Sequence, residues 1–143
     1  RLVLEELTDE FRMLVFRRTQ IGVDRLSGSL KRAGFGAMGL HGGLSQGERN
    51  RAMGAFRDGD LPILVSTNVA ARGIDIPEIT HVVNYDLPDN VEEYVHRIGR
   101  TARMGRRGYA VTFLAEWDFE AWEKIQTHIG EDRLIQGSLP FYD

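Results

Sequence analysis

Residues 63–75 have the sequence I-L-V-S-T-N-V-A-A-R-G-I-D, in which an unbroken apolar run leads into a polar segment. Consecutive apolar residues are expected in a strand that is covered on both faces, as the strands of parallel sheets are. In open α/β proteins, ligands bind beyond the carboxyl ends of such strands. This stretch therefore predicts a parallel sheet and the edge of that sheet at which a site lies.

Outward from this strand, apolar runs alternate with helical patterns along the whole chain. Strands are predicted at 13–16, 37–41, 63–67, 81–86 and 109–114, and helices at 21–33, 46–57, 91–102 and near 119–129. Such alternation is typical of βαβ units. It predicts an α/β fold with a doubly wound, mostly parallel sheet and helices on both faces.

Two helix starts carry recognisable capping chemistry. Ser45 followed by Glu48 forms an S-x-x-E capping box. Asn90 with Glu93 imitates the same device. Gly34 lies where the end of the first predicted helix requires a residue with a left-handed backbone.

Composition is that of a globular protein of one domain. The chain has 143 residues, 42% of them hydrophobic, and a formal net charge of −3. The domain is expected over 1–136, with 137–143 as a tail or a connection. No apolar run approaches the length of a membrane span and no signal-peptide pattern opens the chain, so a cytoplasmic location without membrane contact is expected. The lack of cysteine excludes disulfides, and the spacing of the four histidines predicts no metal site in the chain.

Two glycine-rich segments match known motifs. The glycines at 34, 36 and 39 fit G-x-G-x-x-G, but they lead into a predicted strand, so a helix-to-strand turn is preferred over dinucleotide binding. Residues 43–47 fit G-x-S-x-G around Ser45, and Asp86 and His128 follow in the order of a hydrolase triad. Because the capping box already accounts for Ser45, a hydrolase remains only an alternative.

The chain has no P-loop. That motif requires G-x-x-x-x-G-K-[ST], and neither Lys31 nor Lys124 follows a glycine. A nucleoside triphosphate could therefore be held here only as part of a composite site.

The densest group of cations lies in residues 94–108, Y-V-H-R-I-G-R-T-A-R-M-G-R-R-G. Arg97, Arg100 and Arg103 are three residues apart, which places them on one face of a helix. Crowded guanidiniums repel one another unless an anion lies among them, and phosphate matches their geometry. For an arbitrary arginine triplet, a solvated basic stripe is the alternative.

The polar segment after the strand at 63–65 offers further groups of this kind. Thr67 and Arg72 suit phosphate oxygens, and Asp75 suits a ribose hydroxyl. Taken singly, each also has a structural explanation, namely a strand-end cap at Thr67 and an internal pair between Arg72 and Asp75.

Several segments together resemble one family, the DEAD-box RNA helicases. They are H-G-G-L-S-Q-G-E-R at 41–49, I-L-V-S-T-N-V-A-A-R-G-I-D-I-P at 63–77, V-V-N-Y-D-L-P at 82–88 and H-R-I-G-R-T-A-R-M-G at 96–105. Their order and spacing resemble the second, C-terminal RecA-like lobe of that family. F-R-R-T at 16–19 resembles the motif that opens this lobe. The resemblance covers about residues 13–114 and implies a RecA-like fold.

For ATP, the resemblance implies a site shared with an N-terminal lobe that would hold most of the nucleotide and its Mg²⁺. Arg100 and Arg103 would be arginine fingers for the γ-phosphate. His96 would contact the partner lobe, and Asp75 would contact the ribose. Arg97 is placed near the nucleotide with a more structural role, paired with Asp75.

For RNA, the resemblance implies backbone contacts that carry little sequence preference. Gln46-Gly-Glu-Arg49 resembles a Q-x-x-R element, so Arg49 is expected to contact a phosphate. Thr67 and Arg72 are expected to do the same, with Gly43 and Thr19 as weaker candidates. Asn68, where many relatives carry aspartate, is assigned no role.

The sequence thus predicts the C-terminal lobe of an ATP-dependent DEAD-box RNA helicase, inactive by itself. Its expected partners are RNA, the N-terminal lobe and, through regions outside this chain, protein cofactors or a second copy. The rivals are another superfamily-2 helicase or DNA translocase, a non-enzymatic RNA- or partner-binding module, and hydrolase chemistry at Ser45.

Overall fold

Short strands and helices alternate along the chain, as predicted. The computed structural model describes residues 4, 7, 10–74, 78–101 and 108–130. The strands are β1 Met13–Phe16, β2 Ala37–Leu40, β3 Ile63–Ser66, β4 His81–Asn84 and β5 Tyr109–Thr112. The helices are α1 Gln20–Arg32, α2 Gln46–Arg57, α3 Asn68–Ala71, α4 Val91–Ile98 and α5 Phe119–Ile129, with a 3₁₀ turn at Glu116–Asp118.

The five strands form one sheet in the order β2-β3-β1-β4-β5, and every pairing is parallel. Leu14 of the central strand lies between Leu64 and Val82 in register. All four residues of β1 and of β3 are buried, as consecutive apolar residues predict for strands covered on both faces. The predicted α/β fold with a parallel RecA-like sheet is confirmed.

Alternate residues of each strand supply two separate cores. On one face, Leu14 and Leu64 pack with Phe56 of α2. On the other face, Val15 and Val65 pack with Val23 of α1. The period of two along the strands therefore places helices on both faces, as predicted. A third, smaller cluster joins α4 to α5 through Tyr94 and Ile125.

The helices differ from the prediction mainly at α4 and α3, and α1 lies one residue earlier than predicted at both ends. The helix predicted over 91–102 ends at Ile98, and Gly99 forms its C-cap, so Arg97 and Arg100 do not share a helix. Glycine is a poor helix former and Gly99 falls in the last turn, which explains the early end. The four-residue helix α3 was not predicted because so short a segment shows no periodicity.

The capping predictions describe the helix ends correctly. Ser45 and Glu48 bond reciprocally at the start of α2. Asn90 accepts the Glu93 N–H, whereas the Glu93 carboxylate accepts the N–H of Asp89 instead of that of Asn90. Gly34 has φ of 91° after α1. The glycines at 34, 36 and 39 lead into β2, as the preferred turn interpretation requires.

No helix in the described part of the chain is long and apolar enough to cross a membrane. The predicted tail at 137–143 lies outside the described residues, which end at 130.

Candidate functional site

The predicted phosphate-binding residues gather at the carboxyl edge of the sheet. Thr19 follows β1, Gly43 follows β2 and Thr67 follows β3, while α4 lies beyond the end of β4. Those four strands are neighbours in the order β2-β3-β1-β4. Residues that are far apart in the chain are therefore brought to one edge, where parallel α/β sheets carry their sites.

A cleft of about 200 Å³ opens between α3 and α4, and it is named the RNA-side cleft because Thr67 and Arg72, both predicted to contact RNA, line it. It combines three guanidiniums, two carboxylates and a hydroxyl. Its lining residues are Arg18, Thr67, Asn68, Val69, Arg72, Asp89, Glu93 and Arg97. Predicted Thr67, Arg72 and Arg97 thus meet in one cavity.

A second cleft of about 80 Å³ adjoins the first and is called the finger-side cleft. It is lined by Phe16, Asn68, Ala71, Arg72, Glu93, His96, Arg97 and Arg100. The two clefts share walls at Arg72 and Arg97. Two residues predicted for RNA, Thr67 and Arg72, therefore lie beside three predicted for ATP, His96, Arg97 and Arg100.

Arg97 is a buried structural link between elements, with 4% of its surface exposed. Its Nε donates to Asn68 Oδ1 at 2.6 Å, and its Nη1 donates to Asn84 Oδ1 at 3.1 Å and to the Asp86 carbonyl at 2.8 Å. Its guanidinium also lies 4.8 Å from the centre of the Phe16 ring. Burial lowers the pKa of Arg97 to about 10, so the group stays charged at neutral pH.

These contacts identify two residues that sequence reasoning left without a role. Asn68 and Asn84 supply side-chain oxygens to Arg97, and Asn84 also donates to Thr112 Oγ1 of β5 at 3.2 Å. Asn84 is fully buried at the end of β4. An asparagine inside the strand predicted at 81–86 was the available signal, since a polar side chain that a strand buries needs a partner. Asp75, the partner expected for Arg97, lies outside the described residues.

Arg100 lies just past the end of α4 and is half-buried. Its Nη1 donates at 2.6 Å to the carbonyl of Ile74, which is the last described residue before Asp75. His96 is exposed on α4 beside it. Both line the finger-side cleft. Arg103, the second predicted finger, lies outside the described residues.

Thr19 and Thr67 are N-caps whose hydroxyl groups keep a proton to donate. Thr19 Oγ1 accepts the N–H of Gly22 at 2.9 Å, and Thr67 Oγ1 accepts that of Ala70 at 3.4 Å. A hydroxyl that accepts one bond can still donate its own O–H. Each capping role is therefore compatible with a phosphate contact.

Three of the predicted RNA contacts, Thr19, Gly43 and Arg49, line neither cleft. Arg49 is half-buried in the first turn of α2. The N–H of Gly43 donates to His41 Nδ1 at 3.0 Å, which leaves His41 Nε2 to donate to Asp24 Oδ1 at 2.9 Å. A Cβ at position 43 would come within 2.7 Å of Gln20 Oε1 and 3.1 Å of the His41 ring, so a side chain there would displace the end of the exposed Gln20 side chain.

The hydroxyl of Ser45 is engaged in helix capping. Its Oγ accepts the Glu48 N–H at 3.1 Å, and the Glu48 carboxylate accepts the Ser45 N–H at 3.2 Å. These bonds from Ser45 hold the pKa of Glu48 below its ordinary value. The geometry is that of a cap and gives no support to a nucleophile at this position.

Comparison with known proteins agrees with this geometry. The helicase conserved C-terminal domain family matches residues 1–105. The ATP-dependent rRNA helicase rrp3 of Sclerotinia sclerotiorum is 46% identical over 118 residues, which cover 82% of this chain and 24% of that protein. The rrp3 of Aspergillus niger is 47% identical over 91% of this chain and 28% of its own length. The chain thus spans about a quarter of the length of the curated relatives it matches.

Solved structures give the same result. Escherichia coli DEAD-box protein SrmB, bound to the regulator of ribonuclease activity A, superposes with a TM-score of 0.83 at 40% identity, covering 90% of this chain and 76% of that one. Saccharomyces cerevisiae Dbp5, bound to RNA and ADP BeF3, superposes with a TM-score of 0.81 at 40% identity, covering 90% of this chain and 34% of that one.

Proposed function

The chain belongs to the helicase conserved C-terminal domain family, as the second RecA-like lobe of a DEAD-box helicase, and from that premise we propose that it serves an ATP-dependent enzyme that separates short RNA duplexes. The observation that carries the proposal is that residues predicted to contact RNA and residues predicted to contact ATP line two adjoining clefts. Arg72, from the RNA set, lines both clefts, and Arg100, from the ATP set, lines the second. RNA bound at the first cleft would therefore lie next to the residues proposed to act on ATP at the second.

On the ATP side, Arg100 and Arg103 act as fingers for the γ-phosphate. The half-buried guanidinium of Arg100 donates through Nη1 to the Ile74 carbonyl, and among the described residues no acceptor engages its other nitrogens, which can meet phosphate oxygens. His96 is exposed on the same side and suits a contact with an N-terminal lobe. Asp75 contacts the ribose, and Arg97 supports this region through its buried contacts.

Most of the nucleotide belongs to the N-terminal lobe in this proposal. Since the chain contains no P-loop, the N-terminal lobe would hold the triphosphate and Mg²⁺. The arginines of this chain would only contact the γ-phosphate. When bound, Mg²⁺ neutralises charge on the phosphates. The arginines of this lobe stabilise the negative charge on the oxygens of the transferred phosphoryl group.

On the RNA side, Thr67 and Arg72 hold the backbone at the RNA-side cleft, and Arg49, Gly43 and Thr19 extend the contact surface. The Gly43 N–H is already bonded to His41, so Gly43 would not donate a hydrogen bond to RNA. Its small size would instead let the RNA backbone approach closely. Phosphate contacts set position without selecting sequence. RNA is distinguished from DNA by its 2′-hydroxyls and its backbone shape.

The test is RNA-stimulated ATP hydrolysis by the two-lobed enzyme that carries this chain. Arg100→Ala and Arg103→Ala are each expected to lower kcat by about 10³-fold or more, the range for arginine fingers. Arg25→Ala, at an exposed position on α1 that lines neither cleft, is the matched control and should leave kcat unchanged. Unchanged kcat in both finger variants would refute the assignment. Equal stimulation by single-stranded DNA would favour a DNA translocase.

The partners of this proposal are RNA, the N-terminal lobe and a protein regulator, and the cytoplasmic location stays a prediction. SrmB binds the regulator of ribonuclease activity A, and a variant of Dbp5 binds Gle1. A protein regulator is proposed here on that basis alone.

A further inference from the structure

Two adjacent arginines follow β1, and their side chains have different partners. The Nε of Arg17 donates to Asp86 Oδ2 at 2.8 Å, and its guanidinium lies 4.4 Å from the centre of the Tyr85 ring. These distances are those of a short charge-assisted bond with a stacked cation. Arg17 is therefore engaged by the loop that follows β4.

Arg18 has a fixed backbone and a loosely held side chain. Its N–H donates to Asp86 Oδ2 at 2.7 Å, which anchors the main chain. Its Nη2 donates to the Leu87 carbonyl at 3.1 Å and lies 3.5 Å from Asp89 Oδ1. The side chain is 58% exposed and lines the RNA-side cleft. A guanidinium is thus presented to the cleft from an anchored position.

The ion pair between Arg18 and Asp89 is weak. Its 3.5 Å separation exceeds the 2.7–2.9 Å typical of charge-assisted bonds, and the Asp89 side chain is 68% exposed. Exposed ion pairs contribute little to stability. A phosphodiester can instead accept two parallel bonds from one guanidinium. An incoming phosphate can therefore replace this carboxylate.

The surroundings of the cleft favour such a replacement. Arg18, Arg72 and Arg97 approach it from three different elements. Of its two carboxylates, that of Glu93 is held by the Asp89 N–H at 3.0 Å at the start of α4, whereas that of Asp89 is paired only loosely. Displacing Asp89 alone would leave the cleft with a clear excess of positive charge.

We propose that Arg18 is a further contact for an RNA phosphodiester in the RNA-side cleft, and that Asp89 is an internal competitor which occupies Arg18 when RNA is absent. The inference rests on the proposed function and adds a residue to it. Arg18 shares its cleft with Thr67 and Arg72, while His96 and Arg100 line the other one. The phosphate is therefore assigned to RNA and not to the nucleotide.

The experiment measures the Kd of the two-lobed enzyme for a labelled single-stranded RNA over a range of salt concentrations, with a non-hydrolysable ATP analogue bound. Arg18→Ala is expected to weaken binding by about tenfold and to reduce the slope of log Kd against log salt by about 0.7. Arg18→Lys, which keeps the charge, should retain the slope. Arg25→Ala is the control and should change neither quantity.

Asp89→Asn tests whether the Asp89 carboxylate competes with RNA for Arg18. It is expected to strengthen RNA binding by about threefold, because an uncharged amide competes poorly for a guanidinium. In the Arg18→Ala background, the same change should give less than half of that gain. An equal gain in both backgrounds would show that Asp89 does not act through Arg18.

Further readouts separate this inference from the proposed function. An Arg18→Ala enzyme with unchanged Kd and slope overturns the inference, as does a higher KM for ATP with unchanged RNA binding. Thermal unfolding matched to that of Arg25→Ala shows that the variant is folded. If the parent enzyme binds no RNA, or if Arg49→Ala and Arg72→Ala both leave Kd unchanged, the proposed function itself fails.

Discussion

Arg97 and Arg100, three residues apart, have opposite environments. Arg97 lies on the inward face of α4 and donates three hydrogen bonds to neutral oxygens, whereas Arg100 follows the Gly99 cap and is half-buried at a cleft. Both residues are arginines, and their spacing of three predicted that they share one face of a helix. The end of the helix between them separates a structural arginine from one that is available for chemistry.

Substitution should therefore separate stability from activity. Arg97→Ala leaves the oxygens of Asn68 and Asn84 without their donor, and it should lower the free energy of unfolding by about 2–4 kcal/mol. Arg100→Ala should change it by less than about 1 kcal/mol, because its partly exposed side chain makes one hydrogen bond to the described residues. Urea unfolding of both variants checks this. Equal effects of the two changes would contradict the distinction.

At the scale of elements, the packing of α1 on β2 depends on a residue without a side chain. A Cβ at Gly39 would lie 2.8 Å from Val23 Cγ1 and 3.2 Å from Ser27 Oγ. The helix thus lies directly on this strand. The glycine that resembles part of a nucleotide motif is required here for close packing.

Gly39→Ala is expected to lower the free energy of unfolding by about 1–3 kcal/mol through overpacking. Gly54, in the middle of α2, has open space where a Cβ would lie. Gly54→Ala should therefore raise stability by up to about 1 kcal/mol through helix propensity. Denaturant unfolding of the two variants gives the comparison, and a stabilising Gly39→Ala would contradict the packing argument.

The start of β4 carries a pH-sensitive contact. His81 stacks on Tyr109 with ring centres 5.1 Å apart, and Phe11 meets its ring edge-on. Burial lowers the pKa of His81 below its ordinary value of 6.5. The folded state therefore releases this proton more readily than the unfolded state does.

Stability should then decline on the acid side. Below about pH 6.5 the unfolded chain binds a proton that the folded chain resists, so the free energy of unfolding falls as the pH drops from there through the lower folded pKa. His81→Phe should flatten this dependence, whereas His128→Gln, at an exposed position on α5, should retain it. Urea unfolding between pH 5 and 8 provides the measurement. An unchanged slope in His81→Phe would exclude His81 as its source.

At the scale of the whole molecule, the sheet order creates a local positive site on an acidic protein. The formal net charge is −3, yet the RNA-side cleft has three guanidiniums against two carboxylates. The neighbouring positions of β3, β1 and β4 bring Thr67, Arg18 and Arg97 into that cleft. The phosphate binding proposed for this cleft therefore depends on local convergence of arginines and not on overall charge.

The 143-residue chain alone is expected to show no RNA-stimulated ATP hydrolysis. In the proposed function it provides only the fingers and the backbone contacts, and its sequence has no P-loop to hold the triphosphate. Phosphate release by the purified chain, with and without RNA, is the measurement. Turnover that disappears in the Arg100→Ala form of the same chain would contradict the composite site, whereas turnover that persists in that form indicates a contaminating enzyme.

Local patterns predicted most of the fold. The β1 bounds matched, and the other strands ended one or two residues earlier than expected, because each paired ladder is only four residues long. Apolar runs and capping residues act over a few neighbours, so they can be recognised without the rest of the chain. The short helix α3 and the early end of α4 depend on contacts across the sheet edge, and neither was predicted.

The sequence by itself determined the α/β class, the alternation of elements, the edge of the sheet at which a site lies and membership of the helicase family, since these follow from periodicity and from motifs in order. Only the tertiary structure decided that Arg97 is buried against Asn68 and Asn84. It also decided that the Gly43 N–H donates to His41. Finally, it decided that Arg18 shares a cleft with Thr67 and Arg72. The reason is physical. Which side chains meet depends on the strand order β2-β3-β1-β4-β5, a long-range property that no local pattern in the chain encodes.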